Sequence, residues 1–289
     1  MDEDEDEDDE DEKTGDLPPF YEPNVRPNIS LMTTASLLTT TLLTLASAAT
    51  AAIHTETVEY KQGNLTLQGF LAYDDASKAP RPGILLIHDW MGVGDYAQNR
   101  AKQLAELGYV AFAADIYGKG VRPSDAAQAS ELAGKYKSER PLYRLRLRAG
   151  LDQLANHPLV APGQIAAIGY CFGGTGVLEL VRDGSEVKGV VSFHGGLNSP
   201  TPEDAKNIKC PVLVLHGADD PFVKPDEVAA FKKEMADATV KVEFVAYPGA
   251  VHSFTNPAAG SDNSKGAAYN EAADQASWIA MKDFFAKIF

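Results

Sequence analysis

Two cysteines, Cys171 and Cys210, are too few for a disulfide framework or a four-thiolate zinc site. None of the six histidines stands three or four residues from another, so the usual sequence sign of a metal centre is missing too, and no metal or cofactor is expected. Basic residues are scarce: 26 Lys and Arg face 41 Asp and Glu, a formal net charge of −15. That imbalance is local. Residues 1–31 hold 13 acidic and 2 basic residues, which leaves 28 against 24 in the rest of the chain. A nearly neutral body without a basic stripe argues against nucleic acid as a partner. Long apolar runs are absent as well. The stretch 29–53 has no charged residue, but it is rich in Thr and Ser and its strongest apolar part is confined to 37–46, so no stable membrane anchor is expected.

What is present falls into three parts. The unbroken acidic run from Asp2 to Glu12 and the proline-rich stretch after it repel themselves and bury nothing, so 1–31 is expected to be a disordered leader. Residues 32–51 resemble a signal peptide that begins at Met32 and ends at small-residue cleavage sites near Ala48 or Ala51. If Met32 starts the protein, the mature chain is periplasmic or secreted; otherwise it is cytoplasmic. Residues 52–289 read as one domain without internal repeats, and 44% apolar residues suffice for one large core.

Within that domain the pattern predicts strands over 55–60, 65–73, 83–87, 110–114, 164–168, 189–193, 212–215 and 240–247. Gln62-Gly63-Asn64 joins the first two as a hairpin. Helices are expected over 96–107, 124–136, 142–156, 175–182, 225–236 and 269–289. Near-continuous apolar strands are buried on both faces, so the expected architecture is a mainly parallel eight-stranded sheet with helices on both sides.

In such a sheet, chemistry collects where strands end. Gly169-Tyr170-Cys171-Phe172-Gly173-Gly174 follows a strand and precedes a helix, as a nucleophile elbow does, with cysteine in place of serine. The glycines suit a strained turn packed against its neighbours, and the helix N-terminus favours a thiolate at Cys171, with the Phe172 N–H facing a developing oxyanion. A thiol nucleophile needs a base and an orienting carboxylate, in the chain order nucleophile, acid, histidine. Asp219 or Asp220 supplies the acid just past one strand, and His252 the base just past the last. His88, His194 and His216 also stand at strand ends, near enough to line a pocket, although a hydrogen-bonded structural role suits each better. Cys210 begins its strand and Cys171 follows the end of its own, so they lie on the order of 15 Å apart at about 3.3 Å per residue and do not pair.

These motifs, together with Tyr247-Pro248-Gly249-Ala250, His252-Ser253-Phe254 and Ala268-Tyr269-Asn270, make residues 58–289 resemble the dienelactone hydrolases. The resemblance implies an α/β-hydrolase fold and a Cys171–His252–Asp220 triad, and it selects Asp220 over Asp219. It further implies that Asp89, in His88-Asp89-Trp90, controls the thiol proton, in a place where well-known members carry glutamate. The Trp90 N–H becomes the second oxyanion donor. Members that act on dienelactone hold its carboxylate with arginines, one of them shortly after the triad histidine, where this chain has Asn256 at the pocket. Asn256 cannot form a charged clamp. The expected activity is cofactor-independent cleavage of a small ester or lactone through a thioester. The alternative is a protein of the same fold that binds a small ligand without turnover.

Overall fold

The computed structural model describes residues 52–289; the acidic leader expected over 1–31 and the signal-like segment over 32–51 lie outside the described residues. β1 (Ile53–Gln62) and β2 (Leu65–Asp74) form the expected hairpin, and Gly63 at φ +56° supplies the left-handed residue of its two-residue turn. Alternation of strand and helix follows: β3 (Arg81–Ile87), α1 (Asp95–Glu106), β4 (Val110–Ala114), α2 (Ala126–Ser138), α3 (Arg140–Ala155), β5 (Val160–Tyr170), α4 (Phe172–Arg182), β6 (Val190–Phe193), β7 (Val212–Gly217), α5 (Pro225–Asp237), β8 (Val242–Tyr247) and α6 (Glu271–Ile288). The strands lie in the order β1-β2-β4-β3-β5-β6-β7-β8. β1, β2 and β4 pair antiparallel, and every pairing from β4 through β3 to β8 is parallel. This is the α/β-hydrolase architecture.

Successive strand residues point to opposite faces, and the core divides accordingly. Leu85, Ile87, Val212 and Val214 pack under α3, α4 and α5 on one side. Ile84, Leu86, Leu213 and Leu215 pack under α1 and α6 on the other. All eight are buried, and each large aliphatic side chain so removed from water contributes about 1.5–3 kcal/mol. The sheet is therefore rigid where its carboxyl ends present their loops.

Two boundaries differ from the sequence pattern by more than two residues. β5 begins at Val160, because Arg81 pairs with Val160 and the next register pair is Gly83 with Ile165. The bulge between them absorbs Pro162 and Gly163, with Gly163 at φ +69°. α4 begins at Phe172 rather than at 175, so Gly173 and Gly174 are helix and not loop. They are glycine because the helix starts in contact with its neighbours: a Cβ on Gly173 would stand 2.1 Å from the Ile87 carbonyl oxygen.

Glycine placement gives a paired test by urea unfolding. Gly173→Ala should cost about 3 kcal/mol or more, the upper range of overpacking, since a backbone oxygen must move. Gly134→Ala, inside α2 with open space around its Cβ position, should instead stabilise by about 0.5–1 kcal/mol.

Candidate active site

The carboxyl ends of β3, β5, β6, β7 and β8 carry the residues singled out in the sequence for the site. Cys171 sits between β5 and α4 with φ 55° and ψ −112°, a conformation that non-glycine residues rarely adopt. It is the N-cap of α4, so the helix dipole favours negative charge on its sulfur. A Cβ on Gly169 would stand 1.9 Å from the Gly173 carbonyl oxygen, which accounts for the second flanking glycine.

Three side chains from three strand ends form one line. His252 Nε2 lies 2.9 Å from Cys171 Sγ, and His252 Nδ1 lies 2.8 Å from Asp220 Oδ2. Asp220 is buried, and its other oxygen accepts the Phe222 N–H at 2.8 Å. Asp219 turns away and accepts the Gly249 N–H at 3.1 Å, so Asp220 is the partner of the histidine. Burial opposes a charge on His252, but the Cys171 sulfur and the Asp220 carboxylate outweigh it and raise the imidazole to about 10. The loop that carries it is clamped at its own backbone: His252 N–H donates to the Gly266 carbonyl at 3.2 Å and His252 O accepts from Ala268 at 3.0 Å.

Beside this line, neither the Phe172 N–H nor the Trp90 N–H has an acceptor among the described residues. Tyr143 donates to the Phe172 carbonyl at 2.9 Å and Tyr117 to the Trp90 carbonyl at 3.0 Å, which fixes both stretches of backbone. Asp89 is buried next to them. Its Oδ1 accepts the Met91 N–H at 2.8 Å, and it makes no hydrogen bond to Cys171, so direct contact with the thiol is not part of this arrangement. Burial pushes its carboxyl up to about 6, with the Met91 N–H and the charge of His252 opposing.

The remaining candidates do not line the site. His88 is wholly buried; its Nδ1 bonds the Asp89 carbonyl and its Nε2 accepts the Ile116 N–H, and burial lowers it to about 4. His194 is 2% exposed and lies under the elbow, where its Nδ1 accepts the Cys171 N–H. His216 packs against Phe244. Asn256 uses its side-chain oxygen to cap the short turn Pro257–Ala259 rather than facing a pocket.

Phe222 is a contributor that periodicity gave no sign of. It is 60% exposed, stands edge-on to the His252 ring at 5.4 Å, and forms a wall of a cleft of about 500 Å³. Leu197, Pro202 and Phe231 line this cleft together with Lys224, Asp226, Glu227 and Glu234, the last of them paired with Arg182. Two basic residues of the loop after β4 are paired with acids, Lys119 with Glu59 at 2.6 Å and Arg122 with Asp115 at 3.5 Å.

The profile of the dienelactone hydrolase family matches residues 67–289. The chain belongs to that family. It is similar to a solved dienelactone hydrolase-like promiscuous phosphotriesterase from metagenomic libraries, at 39% identity and a TM-score of 0.79, over 82% of this chain and 99% of the other. Protein usf of Aquifex pyrophilus is 29% identical over 69% of this chain and 86% of its own length. A Salmonella typhimurium protein named as a carboxymethylenebutenolidase is 27% identical over 76% and 83%. This dienelactone hydrolase family member is thus a hydrolase of the carboxylic ester class.

Asp89 offers a check on the electrostatics of the site. A carboxyl raised from 3.8 to about 6 on folding holds its proton more tightly in the native state, so stability falls as pH rises through that window and stays reduced above it. Asp89→Asn keeps the acceptor for Met91 and removes the titration. Relative to the wild type it should gain on the order of 3 kcal/mol between pH 4 and pH 7, read from urea unfolding at both pH values. A wild-type to variant difference that is constant across the window would contradict the burial argument.

Proposed function

We propose that this chain hydrolyses neutral carboxylic esters or lactones through a covalent thioester on Cys171. The observation that carries the reading is the continuous line Asp220–His252–Cys171, with contacts of 2.8 and 2.9 Å. His252, oriented by Asp220, takes the thiol proton, and the sulfur attacks the carbonyl carbon. The N–H groups of Phe172 and Trp90 receive the resulting oxyanion. His252 returns its proton to the leaving alkoxide as the carbon–oxygen bond breaks, which leaves the acyl group on sulfur. His252 then draws a proton from water, hydroxide adds to the thioester carbonyl, and the thiolate departs as the acid is released. Water is the only co-reactant.

Asp89 acts at a distance in this scheme. Ionised above about pH 6, it adds a negative charge that favours the protonated state of His252, without contact to the sulfur. The substrate preference follows from the lack of a cation for a substrate carboxylate: Lys119 and Arg122 are paired with Glu59 and Asp115, and Asn256 carries no charge.

Two measurements test the reading. Cys171→Ala should lower kcat/KM for a p-nitrophenyl ester by about 10³-fold or more, and retention of full activity would remove the nucleophile assignment. For a matched pair of lactones with and without a carboxylate, the neutral one should be turned over at least as well. A preference of about 100-fold for the carboxylated lactone, roughly 2.7 kcal/mol of transition-state binding, would overturn the neutral-substrate reading.

A further inference from the structure

His194 follows β6 with φ 38°, and Cys171 follows β5 with φ 55°; these two strained residues are bonded to each other. The Cys171 N–H is shared between the Phe193 carbonyl at 3.0 Å and His194 Nδ1 at 3.1 Å. An Nδ1 that accepts a hydrogen bond carries a lone pair, so the ring is the neutral tautomer with its proton on Nε2. That proton has one destination, Thr255 Oγ1 at 2.7 Å. The Thr255 hydroxyl in turn meets the Tyr96 hydroxyl at 2.6 Å, which takes the Arg100 Nε–H at 3.4 Å. Arg100 also donates to the Thr255 carbonyl at 2.7 Å and pairs with Asp274 of α6 at 2.6 Å.

Thr255 lies three residues beyond His252. One buried imidazole therefore spans the backbone of Cys171 and the loop that carries its base. We propose that His194 is a positioning residue for the reaction: a neutral strut that fixes the distance between Cys171 Sγ and His252 Nε2, with its tautomer set by Thr255. This rests on the reading of Cys171 as the nucleophile. Two features of the site agree with it. Tying down the Cys171 N–H removes it as an oxyanion donor and leaves Phe172 and Trp90 for that task. A charged ring would lose its Nδ1 acceptor and place a second cation 5.3 Å, centroid to centroid, from His252. The groups that face it are His252, Arg100, His216, Tyr96 and Tyr170, with Asp274 behind Arg100; burial first, then the charges of His252, Arg100 and His216, hold it well below the ordinary histidine range.

The test follows the pH dependence of iodoacetamide alkylation at Cys171, assigned by peptide mass, alongside kcat and KM for a neutral ester. His194→Leu, which fills the space without an acceptor, should slow alkylation at pH 7 by about 10-fold, move the profile upward by about one pH unit and lower kcat by about 100-fold, with KM nearly unchanged. His194→Asn should return the alkylation profile to near that of the wild type, because its side-chain oxygen takes the place of Nδ1 and Asn tolerates positive φ. A folded His194→Leu with the wild-type profile, or an Asn variant that behaves like Leu, overturns the proposal. If His194→Leu does not fold, Thr255→Val decides. Loss of that one hydroxyl should shift the profile in the same direction, and an unchanged profile overturns it. Alkylation reads the sulfur whether or not an ester is cleaved, so a shifted profile in a protein without esterase activity would refute the proposed function and leave the strut standing.

Discussion

The site depends on how closely the first turn of α4 approaches the sheet. At Gly169 and Gly173 the backbone atoms of strand and helix are so near that a single added carbon would overlap a carbonyl oxygen. That approach forces the one residue with a reactive side chain, Cys171, into a conformation that costs on the order of 1–3 kcal/mol. The strain persists because the parallel strands on either side are buried on both faces and cannot yield. A nucleophile on an ordinary loop would relax; here Ile87, His88 and Gly195 stand directly against the first turn of the helix that follows it.

Three histidines at the carboxyl ends of β3, β6 and β8 show how partners rather than residue type decide charge. His88 and His194 each accept a backbone N–H and neither is hydrogen-bonded to a carboxylate among the described residues, so burial keeps them neutral. His252 is partly buried, and a carboxylate on one nitrogen and a sulfur on the other outweigh that burial. The same strand-end geometry therefore yields two structural rings and one proton carrier, and the arrangement keeps positive charge at a single place.

Much of this was legible in the amino-acid order. The turn at Gly63 marked the first two strands and short apolar runs the other six, and the elbow motif with its following acid and histidine marked three side chains that do meet. The limits have physical causes. Gly173 and Gly174 read as a turn because glycine is poor in helices, and only the contact with Ile87 and Gly195 explains them inside one. Spacing left Asp219 and Asp220 equivalent, since both precede Pro221; which one faces His252 is set by the turn that sends Asp219 to Gly249. The reach of Asp89 depends on its rotamer, held by Met91 two residues on. Phe222 and the thread from His194 through Thr255 to Tyr96 join residues far apart in the chain, and no local pattern encodes such meetings.

The far end of α4 completes the constraint on the nucleophile. Arg182, in its last turn, is fully buried, with Glu234 of α5 at 2.7 and 2.8 Å, Glu179 at 3.2 Å and the Leu197 carbonyl at 3.1 Å. A cation there complements the helix dipole, but the larger effect is that an ion buried with all its partners cannot shift without leaving one of them unpaired, at a cost of about 3–5 kcal/mol. Glu179 also takes Arg144 of α3 at 2.9 Å, so the end of α4 is tied to the helices on both sides. Glycine contact at one end and buried charge at the other leave α4 no way to slide along its axis. Since Cys171 is the residue immediately before that helix, its sulfur inherits the same restriction, and the Leu197 carbonyl carries it on into the cleft beside Phe222. The position of the nucleophile and the shape of the space next to it are thus set by one buried arginine as much as by the elbow itself.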